Sequence, residues 1–94
     1  MPDRAQIEAV REYIKHGYEA YEIVDRPGDL KHVFTLTKDN ERLGEVHIMR
    51  SFWDDNPTPD KILPALIRLS VATTIVEAKG KPVFVWTNHV SIGI

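Results

Sequence analysis

The chain has 94 residues, 43% hydrophobic and 28% charged, a balance that fits one globular domain over residues 1–94 and excludes a disordered segment. Its 12 basic and 14 acidic residues give a net charge of −2, without the concentrated positive field of a general nucleic-acid binder. The absence of cysteine excludes disulfides, thiolate nucleophiles, zinc–thiolate sites and iron–sulfur clusters together.

A cysteine-free chain suits a reducing compartment, and a cytoplasmic setting is expected. No apolar run approaches the ~20 residues that span a bilayer, so no membrane partner is expected. The charged, amphipathic start reads as a helix and not as a signal peptide.

Asp3 followed by Gln6 forms a capping box. Ile7, Val10, Tyr13 and Ile14 then recur at helical spacing, and Gly17 supplies the stop. The spacing predicts a helix over residues 3–16. Tyrosine and β-branched residues predict a strand over 18–24, and Arg26-Pro27-Gly28-Asp29 a turn. Leu30, His32, Phe34 and Leu36 alternate with Lys31, Val33, Thr35 and Thr37, a strand with the first set facing the core. After a turn at 38–41 comes a third strand over 43–52. In it Val46, Ile48 and Phe52 alternate with Glu45, His47 and Met49.

Residues 53–59 form a polar, proline-punctuated connection. A long helix is predicted over 63–79, apolar around most of its circumference. Ile62, Leu66, Leu69 and Val76 make one stripe; Leu63, Ile67, Val71, Ile75 and Ala78 lie beside it. Such a helix is expected to be covered on more than one side. Gly80 stops it, and Val83-Phe84-Val85-Trp86 reads as a central strand with both faces covered. Residues 88–89 turn, and Val90, Ile92 and Ile94 alternate as an edge strand or a segment that pairs with another subunit.

The expected fold is therefore α+β. It runs helix, three-stranded antiparallel meander, long helix, buried strand (αβββαβ), with a single layer of helices on a mostly antiparallel sheet. This order resembles the minimal core of the restriction-endonuclease-like nucleases, which carry an acid and then Glu-x-Lys on neighbouring strands. The motif departs from that pattern. Glu77-Ala78-Lys79 falls at a helix end, the third strand offers Glu45-x-His47, and the upstream acids Asp29 and Asp39 lie in turns.

On a strand, Glu45 and His47 share one face and can share a metal or a proton; the plainer reading is a solvent-facing polar row. Asp54 and Asp55, beside Asn56, offer oxygens to a hard cation or simply form turns into a helix. His89 follows the buried strand and becomes a further ligand only if it meets His47 and Asp54. Phosphate loops, Gly-x-Ser-x-Gly and His-Glu-x-x-His are absent.

The expectation that fits best is a non-enzymatic interaction or regulatory module that self-associates, with no cofactor and a homodimer or another protein as partner. Its contact residues are expected to be Met49, Phe52, Trp53, Trp86, Val90 and Ile92. The alternative is a metal-dependent phosphoesterase using Glu45, His47 and Asp54, with Asp55 and His89 as further metal candidates.

Overall fold

Asp3 does cap the first helix. Its Oδ1 accepts from the Gln6 amide at 2.8 Å, and its own amide donates to Gln6 Oε1 at 2.9 Å. In the computed structural model, which describes residues 2–93, this helix is α1, Arg4–Gly17. Gln6 also donates through Nε2 to the Asn56 carbonyl at 2.9 Å, tying the start of α1 to the chain far downstream.

The meander follows as β1 (Glu22–Gly28), β2 (Lys31–Lys38) and β3 (Glu41–Met49), all antiparallel. Three helices follow: α2 (Arg50–Asp55), α3 (Pro59–Arg68) and α4 (Val71–Ala78). They return the chain to β4 (Val83–Val85), parallel to β3; β5 (Val90–Ile92) closes the sheet antiparallel to β4, in the order β1-β2-β3-β4-β5. The fold is α+β with a mostly antiparallel sheet and one layer of helices.

One core lies between sheet and helices. Phe34, Leu36, Val46, Ile48, Val83 and Val85 point into it from the sheet and meet Val10, Ile14, Phe52, Leu66 and Val71 from the helices. The opposite face carries Val33, His47 and Phe84 side by side across three strands, with no helix above them.

The structure corrects several expectations. The first strand runs over Glu22–Gly28, not 18–24, and takes in Pro27 and Gly28. Proline is tolerated there because β1 is an edge strand, where the missing N–H faces solvent. Leu30 turns out of the core: it occupies the hairpin at φ 58 and is exposed. The third strand stops at Met49, where the Arg50 amide donates to the Leu30 carbonyl at 3.0 Å, and the chain coils into α2. That turn drives Phe52 and Trp53 inward, to 0% and 4% exposure. The β4 strand is central, but only one of its faces is covered; Phe84 and Trp86 on the other are half-buried.

The long helix is also broken. It starts at Pro59 rather than near 63, and it divides at Ser70, which takes the left-handed conformation (φ 57, ψ 43). Ser70 makes no side-chain cap for α4. The cap comes instead from α1: the Tyr13 hydroxyl accepts from the Ala72 amide at 3.0 Å and donates to the Leu66 carbonyl at 3.4 Å. A helix start leaves its first amides without intrahelical partners, so this hydroxyl satisfies one of them. The break lets α3 lie along α1 while α4 turns to pack against β3, β4 and β5.

Tyr13→Phe removes only that hydroxyl. We expect it to lower the unfolding free energy by about 1–2 kcal/mol, the usual cost of orphaning a part-buried amide, read as a lower urea midpoint with unchanged slope.

Candidate functional site

The sequence candidates divide between the two faces of the sheet. Glu45 and His47 lie on the open face of β3, where His47 Nε2 and Glu45 Oε1 are 2.8 Å apart. Arg42 reaches the other Glu45 oxygen at 3.1 Å. The His47 hydrogen bond holds the Glu45 carboxyl below its ordinary value; burial opposes it, and the His47 and Arg42 contacts add to the lowering. His47 is buried, and its Nδ1 has no hydrogen-bond partner among the described residues. The Phe84 ring lies 4.7 Å away, centroid to centroid.

From Phe84 the aromatic row continues outward. Trp86 stacks on Phe84 at 5.9 Å and on His89 at 4.7 Å, with interplanar angles of 27° and 12°. His89 is therefore held against an indole and does not turn toward His47. The two aspartates sit apart from both. Asp54 pairs with Arg50 at 3.6 Å on the exposed side of α2, and Asp55 accepts a hydrogen bond from the Thr87 hydroxyl. Among the described residues, no group of three or more His, Asp or Glu is placed to hold a metal ion. Glu77 lies in the last turn of α4 and not on a strand, as its place in the sequence indicated.

The expected contact residues separate in the same way. Phe52 and Trp53 belong to the core, and Trp53 Nε1 donates to the Ile48 carbonyl at 3.2 Å, so neither offers a surface. Met49, Trp86 and Val90 are half-buried, and Ile92 is exposed on the terminal strand.

The structure adds a surface that the periodicity concealed. Leu63 and Ile67 on α3, and Val76 on α4, are 49%, 60% and 66% exposed. Leu63 and Ile67 lie one turn apart beside α1, where Ala9, Tyr13, Pro64 and Ala72 complete an open groove of roughly 880 Å³. In an unbroken helix these side chains belong to one wide stripe; the break at Ser70 leaves the part beside α1 uncovered. Nothing in the sequence marks that break, since Ser70 is neither glycine nor proline.

A second polar cluster sits on the helix side. Asp25 accepts from Arg11 through Oδ1, and its Oδ2 is 2.7 Å from His32 Nε2. A carboxylate contact alone favours a charged imidazole. Here burial dominates, and the neighbouring Arg11 guanidinium adds to it, so His32 is held below the ordinary histidine value. The neutral ring donates from Nε2 to Asp25 and packs edge-on to Trp53 at 6.3 Å. This arrangement fixes α1 on β1 and β2 and faces no groove.

The sign of its pH dependence follows. A depressed folded value means that the unfolded chain binds more protons below the ordinary histidine pKa of about 6.5. Stability is present above that value and falls as the pH drops through it. We expect the melting temperature to fall between pH 7.5 and 5.5, with a shallower fall in His32→Gln. Glu45 adds a further loss below about pH 4.3, the ordinary glutamate value.

Among the described residues, no helix is long and apolar enough to cross a membrane. No protein-family model matches the chain, and the searches of curated proteins and of solved structures gave no match.

Proposed function

We propose that this chain is a non-enzymatic protein-interaction module that self-associates. What supports the reading is exposed apolar surface on the helices and on the last strand. Leu63, Ile67 and Val76 are exposed on the helices, and Ile92 is exposed on the last strand. Single exposed hydrophobics are ordinary; neighbouring ones beside an open groove suit a protein contact, and an exposed one on a terminal strand lies where a second copy can extend the sheet. A cytoplasmic setting goes with the reading, as a chain without cysteine forms no disulfide.

Sedimentation equilibrium over a concentration series tests it. A stable dimer is the expected result, and a monodisperse monomer at high micromolar concentration would overturn the reading.

A second reading, a metal-dependent phosphoesterase, is favoured by one observation: the Glu45–His47 pair with its buried, unpartnered Nδ1. Under this reading Mg²⁺, Mn²⁺ or Zn²⁺ raises the melting temperature by mass action. His47→Ala abolishes the rise while the domain stays folded. An unchanged melting temperature with all three ions removes it.

A further inference from the structure

We infer that two copies of this chain join through β5, antiparallel, about a two-fold axis at Ser91. The inference rests on the self-association proposed above and specifies its seam.

The two edges of the sheet are built differently. β1 includes the exposed Val24 but also the charged Glu22 and Arg26, and Pro27. Charges and proline on an edge strand oppose pairing with another chain. β5 reads Val90-Ser91-Ile92, with neither a charge nor a proline.

Its free backbone groups can be identified. The His89 carbonyl accepts from the Trp86 amide at 2.9 Å, and the Gly93 amide donates to the Pro82 carbonyl at 2.7 Å. Residues 89 and 93 therefore aim their backbone groups at β4. Antiparallel strands alternate in this respect, so Ser91 also faces β4, and Val90 and Ile92 present their N–H and C=O outward.

That edge is complementary to itself. With Ser91 opposite the partner's Ser91, Val90 meets the partner's Ile92 and exchanges both hydrogen bonds with it. The two-fold axis repeats the exchange. On the helix side Val90 and the exposed Ile92 then cover each other. On the open side His89 comes opposite the partner's Gly93, whose missing side chain leaves room for the Trp86–His89 stack.

The helical groove fits a second copy less well. Its two walls carry Glu12 and Asp60. His16 lines it as well, so a second copy seated there covers charged and titratable side chains that the β5 edge does not carry. A three-residue seam belongs with interfaces below about 1,200 Å², so the association is expected in the micromolar range.

The test uses the whole chain in sedimentation equilibrium. Ser91→Lys and Ser91→Asp are each expected to sediment as monomers where the wild type is dimeric, because each variant sets like charges directly opposite on the axis. Mixed in equal amounts, they are expected to restore the dimer. Ile92→Pro removes only an outward N–H and is expected to be a folded monomer by circular dichroism. Ile67→Glu, in the groove, is expected to remain dimeric.

A wild-type monomer overturns the self-association reading and this inference with it. A wild-type dimer that survives in folded Ile92→Pro, or a Lys/Asp mixture that stays monomeric, overturns the inference alone. Should Ile92→Pro fail to fold, the serine pair decides.

Discussion

The hydroxyl of Tyr13 sits where three helices meet, and the layout of the helical layer depends on it. By accepting from Ala72 and donating to Leu66, it supplies the cap that Ser70 does not. The segment 59–78 can then turn at Ser70 and serve two purposes. Its first part lies along α1, and its second covers β3, β4 and β5. A continuous helix would run straight, at 1.5 Å per residue, and could not follow both. The consequence is on the outside: α3 buries Ile62, Ala65 and Leu66 and leaves Leu63 and Ile67 to solvent.

A single helical layer also shapes the opposite face. With no cover above them, Val33 and His47 are buried by their neighbours on the sheet and by one another. Glu45, Arg42 and Phe84 form the local surroundings of His47. A polar residue buried in a sheet surface needs such partners, because an unpaired group there costs about 1–3 kcal/mol. His47 has one partner for two nitrogens. That unmet nitrogen is the one chemical feature on this face that a purely structural account leaves over.

The two polar histidine clusters differ in kind. His32 is locked between Asp25, Arg11 and the Trp53 ring, and serves to seat α1 on the sheet. Its cost is a stability that declines in mild acid. His47 lies on the face without helices, next to an aromatic row that runs out to the terminal strand. That row ends beside β5, an edge strand with neither charge nor proline. The proposed seam therefore continues the sheet where its hydrogen bonding is incomplete, and leaves the helical groove outside the contact.

Short-range features were legible from the residues alone, and with them the α+β class. The Asp3–Gln6 box, the alternation from His32 to Leu36, and Gly80 at φ 91 after α4 are short-range features. Each depends on residues within a turn or a strand, where period and capping chemistry act directly. The placement of Glu45 and His47 on one face, opposite His32, is of the same kind. The tertiary structure decided the rest. Phe52 and Trp53 were expected as contact residues, one at the end of a strand and the other opening a polar connection; their burial followed from a coil into α2 whose hydrogen bonds reach back to Leu30 and Ile48. The break at Ser70 was invisible because its cap comes from a tyrosine 57 positions earlier, which the helical period counts only as an apolar contact. A stripe of hydrophobic residues states how much surface can be buried. Which part is buried depends on the direction the chain takes between elements, and long-range hydrogen bonds such as that of Tyr13 set that direction.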